Sequence, residues 1–170
     1  GNIYLEKQYP NMIKKGEEVR KDYSDYVLST RKYGIQGAPW NKFFDLNIVK
    51  KYSIKYPELR RHQDEGFISS YVCHTKEIRF INDVLYSHYL NDLKKEWDKY
   101  PVDYVDAVIG LYKIRQETIL AWNNEDKKTR EIVEHEYICN IIKALELSYS
   151  PKMKFNRKER LKWIKKQIEK

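Results

Sequence analysis

Cysteine is nearly absent from this chain, with Cys73 and Cys139 the two examples in 170 residues. That scarcity excludes a disulfide scaffold and fits a reducing, cytoplasmic interior. Glycine (6) and proline (5) are also few, which argues against a turn-rich all-β fold and in favour of helices. No apolar run approaches the ~20 residues of a membrane span, and no signal-peptide pattern is visible. A phosphate-cradling glycine loop and a nucleophile motif are missing too, so the sequence advertises no enzyme and requires no cofactor. The chain opens on Gly1 rather than methionine, which reads as a cleavage scar or a trimmed start.

Aromatic residues are plentiful: 15 Tyr, 5 Phe and 4 Trp offset an apolar content of 41%. Each buries a large area, so a chain of this length can form a true core. The expected architecture is all-α, a multi-helix domain. Val19, Tyr23, Tyr26 and Val27 recur at helical spacing and predict one helix over 11–32, stopped by Gly34 and Gly37. Trp40, Phe43, Phe44, Leu46, Ile48 and Val49 form the densest apolar cluster and read as core. Pro57 suits the first position of a helix running to Gly66, while Phe67 to His74 admits helix or strand.

The clearest helical stepping is Ile78, Ile81, Leu85, Tyr89, Leu93 and Trp97, with Thr75 as its cap and Pro101 as its end. A second long helix follows Pro101, carrying Val105, Val108 or Ile109, Tyr112, Ile119 and Trp122 on one face. Asn123-Asn124 interrupts it, and Asn124 reads as the cap of a helix with Ile132, Val133, Tyr137, Ile138, Ile141 and Leu145 on its apolar face.

Candidate chemistry is sparse. His135 and Cys139 lie four apart on a helix face, and Cys73-His74 would complete four zinc ligands, but the tight paired spacing of zinc sites is missing. The pairs Asp103/Asp106 and Glu131/Glu134 also share helix faces, in the wrong order for a magnesium-binding pyrophosphatase, and read as solvated surface. Arg60, Arg61 and His62 form a small basic knot followed at once by Asp64 and Glu65, again a solvated face.

Charge is the informative feature. The chain carries +8, and the stretch from Lys143 to Lys170 holds ten Lys/Arg against three Asp/Glu. Nearly the whole excess therefore sits in one terminal sixth, where a polyanion would feel it. Ser148, Tyr149 and Ser150 make a polar turn, after which Ser150 can cap and Pro151 can open a last helix. That helix would expose Lys152, Lys154, Asn156, Arg157, Lys158, Arg160, Lys162, Lys165 and Lys166 while Met153, Phe155, Leu161, Ile164 and Ile168 face inward. A helix, a turn and a basic second helix are what a helix-turn-helix needs to enter the major groove. The chain then divides into a helical core, 1–124, and a basic helix-turn-helix-like segment, 125–170, packed on that core. The plain alternative is a lysine-rich helix that only solubilises the terminus.

The segment from Glu131 to Ile168 resembles the C-terminal end of phage late-gene transcriptional regulators of the RinA/ArpU type, and of sigma-factor C-terminal regions. The matching residues are Ile142, Leu145, Leu147, Ser148, Phe155, Leu161 and Ile164, and the stretches DYVDAVIGLYKIRQETILAW and REIVEHEY resemble the helices leading into that module. The resemblance implies a non-enzymatic, promoter-binding regulator of phage or mobile-element type. Its partners would be double-stranded DNA, RNA polymerase or another protein, and a second copy as a homodimer, with no membrane. Two other readings stand beside it. One is a helical protein–protein module, such as a phage-encoded inhibitor or adaptor, with exposed aromatics as anchors. The other is a small-terminase-like DNA-packaging protein.

Overall fold

The computed structural model describes residues 11–24, 35, 37, 39–83, 85–87 and 100–169. Among them the chain is a multi-helix fold, as its composition predicts, with one small sheet added. The helices are α1 (Gly16–Lys21), α2 (Leu46–Lys51), α3 (Gln63–His74), α4 (Tyr104–Ala121), α5 (Lys127–Glu146) and α6 (Arg157–Ile168). Strand β1 (Met12–Lys15) pairs antiparallel with β2 (Glu77–Phe80), setting Met12 opposite Phe80 and Lys14 opposite Ile78. None of the described helices is long and apolar enough to cross a membrane.

The sheet overturns two helix expectations. Residues 12–15 are strand, so α1 begins only at Gly16, while Tyr26 and Val27 lie outside the described residues. Glu77–Phe80 alternates partly buried Ile78 and Phe80 with exposed Glu77 and Arg79, and this period of two wins because β1 supplies the ladder. Thr75 closes α3 instead of opening a helix, its Oγ1 donating to the Tyr71 carbonyl at 2.9 Å. Ile81 and Leu85 are exposed, and Tyr89, Leu93 and Trp97 lie outside the described residues. Gly16 is where the two halves of this arrangement touch. Its amide donates to the Lys76 carbonyl, and an added Cβ would stand 1.8 Å from the Thr75 oxygen.

Pro57 does not begin a helix, because its ring packs on Gly66 inside α3, where a Cβ would meet Pro57 Cγ at 2.7 Å. Phe67 to His74 is helical. The aromatic cluster divides: Phe44 packs edge-on against Phe67 and Tyr71, with Ile48 and Val49 partly buried beside it. Trp40, Phe43 (86% exposed) and Leu46 (64%) lie on the surface, which corrects the expectation that the whole cluster is core.

Two apolar clusters hold the fold. The first gathers Val19, Tyr23, Phe67, Ile68 and Val72 against Ile119 of α4, Trp122 just after that helix, and Val133 of α5. The second joins Tyr104, Val105, Ala107 and Val108 at the start of α4 to Ala144 and Leu147, with Trp163 of α6 laid against it. Asn123, with φ at 52°, turns the chain between α4 and α5. Asp126, not Asn124, caps α5, accepting from the Thr129 amide at 3.0 Å, while Asn124 donates to the Arg20 carbonyl. Inside the first cluster Arg115 and Glu65, both about 95% buried, form a two-pronged ion pair of 2.7 and 3.1 Å.

His62 precedes α3 in the left-handed region (φ 65°), with Nε2 3.2 Å from the Tyr104 hydroxyl. Burial holds its imidazole below the usual 6.5, with Glu65 opposing and Arg61 and Arg115 reinforcing the shift. The unfolded chain therefore binds a proton where the fold does not, so stability should fall as pH drops below about 6.5. Urea midpoints between pH 7.5 and 5 check this. His62→Gln should flatten the decline, and parallel slopes in the two proteins would refute it.

Candidate nucleic-acid interface

The basic tail is assembled differently from the helix-turn-helix expectation. Residues 147–156 separate α5 from α6, whereas the turn of that motif takes about 3–4 residues. Leu147–Tyr149 continues α5 as a 3-10 turn. Ser150 then opens a turn, its Oγ accepting from the Lys152 amide at 3.3 Å, and Lys154 has a φ of 50° that no helix tolerates. The helix begins six residues later than the sequence suggests, at Arg157 and not Pro151, with a capping box: Asn156 Oδ1 accepts from the Glu159 amide (3.0 Å) and Glu159 Oε2 from the Asn156 amide (2.8 Å). Asn156 is thus committed to the cap, and Lys152 and Lys154 lie on the approach loop, not on the helix.

The face that α6 turns inward also differs. Arg160, Trp163, Ile164 and Gln167 are the partly buried positions, spaced three, four and seven apart. Trp163 docks on the second apolar cluster with Phe155 alongside at 6.0 Å between rings. Met153 and Phe155 are partly buried as expected, but Leu161 (61%) and Ile168 (69%) are exposed, contrary to the sequence reading. The inward arc is shifted because Arg160 takes a place in it. Its guanidinium donates to the carbonyls of Ser148 (3.0 Å) and Phe155 (3.3 Å) and covers the Tyr149 ring at 4.1 Å. Arg160 therefore fastens the helix to the loop that precedes it.

With Arg160 removed from the set, Lys158, Lys162, Lys165 and Lys166 stand at i, i+4, i+7 and i+8, all exposed, on the side away from Trp163. Arg157 is exposed at the first position of the helix. The four lysines define a cationic ridge fastened at its back, and Arg157 stands beside it at the start of the helix.

Sequence reasoning missed a second group. Arg61 lies 5.0 Å and Lys143 5.3 Å from the centre of the Tyr100 ring, and Lys152 Nζ reaches the Tyr100 carbonyl at 3.4 Å. Three cations from separate segments thus converge on one aromatic residue, and Lys152 connects them in sequence to the ridge. Only the neighbouring acids made Arg61 look like ordinary surface.

The remaining candidates stay apart. His74 stacks on Tyr52 with ring centres 3.6 Å apart at the end of α3, while His135 and Cys139 occupy the outer face of α5. Among the described residues no three His, Cys, Asp or Glu side chains gather as a metal site, so the four-ligand set of Cys73, His74, His135 and Cys139 is not assembled within one chain. Asp103 faces Arg60 at 3.3 Å, and Glu131 faces Lys127 at 3.7 Å. A cleft of about 440 Å³ between α3 and α4 is lined by Tyr56, Cys73, His74, Glu117 and Trp122. No family model, characterised protein or solved structure matches the chain.

Proposed function

We propose that the protein binds duplex DNA through the ridge of α6, as a non-enzymatic regulator of the phage or mobile-element type that its C-terminal sequence resembles. The observation that supports this most is the division of labour along α6. Arg160 and Trp163 bind the helix to the fold, and Lys158, Lys162, Lys165 and Lys166 are displayed together on its far side. A helix that only solubilised a terminus would need no such anchor. Lysines of this kind meet phosphates as point charges, so the contact is mainly to the backbone and weakly selective for sequence.

The test is a gel shift on random duplex DNA with the triple charge reversal Arg157→Glu, Lys158→Glu and Lys162→Glu. Arg160 is left intact because its loss would undock the helix. Retention should disappear while the circular-dichroism melt is unchanged. Retention equal to the native chain would remove the proposal. The exposed Phe43 and Leu46 favour a second reading, a protein-binding module. A stoichiometric protein partner that survives nuclease treatment would support that one instead.

A further inference from the structure

On the outer face of α5, away from both apolar clusters, His135 Nε2 and Cys139 Sγ lie 3.6 Å apart. Zinc binds nitrogen at about 2.0–2.1 Å and sulfur at about 2.3 Å in a tetrahedron, whose N-to-S edge is then about 3.5–3.6 Å. The two side chains already span one such edge, presented to solvent on a rigid twenty-residue helix. Two ligands are half of a structural set, and no third or fourth is gathered around them among the described residues.

The surrounding surface indicates where the other half comes from. Ile138 (56%) and Ile142 (55%) are exposed beside the pair. His135, Ile138 and Ile142 step by three and four, the spacing of a seam between two helices packed at a shallow angle. This seam is distinct from the one through Val133 and Ala144 that faces α4. An antiparallel crossing centred midway between His135 and Cys139 also matches charge. Lys128 and Glu146, both exposed and about five turns apart on one face, are equally far from that midpoint on opposite sides, so each acid falls opposite a base. A two-fold axis there doubles every contribution, because the same patch serves on both sides.

We propose that His135 and Cys139 form half of a zinc site that is completed by the same two residues of a second copy of this chain. The closed site has two imidazoles and two thiolates around one ion, with Ile138 and Ile142 covered at its edge. Each Cys139 thiol gives its proton to solvent as the Zn–S bond forms, each His135 binds through neutral Nε2, and no electrons are exchanged. Two protons leave per ion, so assembly weakens as pH falls. This rests on α5 alone and does not depend on the DNA reading.

The test uses the full chain, stripped with a chelator and kept in a phosphine reductant, with mass measured by light scattering during zinc addition. The mass should double at about one zinc per two chains, and cobalt in its place should give the thiolate charge-transfer band of a tetrahedral site. Cys139→Ser and His135→Ala should remain monomeric at the same zinc concentration, whereas Cys73→Ser should dimerise like the native chain. Zinc bound one per chain at unchanged mass would overturn the proposal. So would a dimer that persists in chelator, or one that survives Cys139→Ser.

Discussion

Replacing Lys158, Lys162, Lys165 and Lys166 together by glutamine is expected to weaken binding to random duplex DNA by about 10³–10⁴-fold at 0.1 M salt. The magnitude follows from counterion release, in which each phosphate neutralised contributes about 0.9 to the log-log salt slope, or nearly one decade at 0.1 M. Four lysines on one exposed face give about 3.6 decades if each meets a phosphate. Stability should hardly move, since all four are exposed and form none of the bonds that fasten α6. Fluorescence anisotropy with a labelled duplex measures the loss, and a melt run in parallel separates it from unfolding. A drop below tenfold would place the binding surface elsewhere.

The second large effect concerns the core. Arg115→Met should cost about 3–5 kcal/mol, because it leaves the Glu65 carboxylate buried and uncompensated. The Tyr23 hydroxyl is also buried, has no hydrogen-bond partner among the described residues, and is pushed above its usual pKa by burial and by the Glu65 charge. It makes no hydrogen bond to Glu65 in the fold, and a neutral phenol would replace only part of what the guanidinium charge supplies. Changing both partners, Glu65→Leu with Arg115→Met, removes the two desolvation penalties together and should recover most of the loss. Urea titrations of the two variants check this. A single substitution costing less than about 1 kcal/mol would mean that water or another cation reaches Glu65.

These effects separate what sequence could show from what it could not. Helices α4 and α5 were legible because Val105, Val108, Ile119 and Val133 repeat at helical spacing over long, uninterrupted stretches. Strand β2 was not, since Ile78, Ile81 and Leu85 fit a helix locally and only pairing with distant Met12–Lys15 decides otherwise. The same holds for Glu65 and Arg115, fifty positions apart, and for the meeting of Arg61, Lys143 and Lys152 around Tyr100.

In the tail, the charge excess was legible and the register was not. The spacing Asn156-x2-Glu159 is a capping-box signal for the start of α6, and it competes in the sequence with the Ser150-Pro151 pair six residues earlier. The capture of Arg160 by two carbonyls and a tyrosine ring had no counterpart in the sequence, because it depends on how the 147–156 loop folds back. That capture turns the apolar stripe of Leu161 and Ile168 outward and brings Trp163 in.

The measurement that bears most directly on the ridge is the salt dependence of duplex binding. With Arg157 added to the four lysines, about five phosphates are neutralised, and the log-log slope should be close to −4.5. In the four-lysine glutamine variant it should shrink to about −1. The same steep slope in both proteins would contradict the account, because the ions released on binding would then come from another surface.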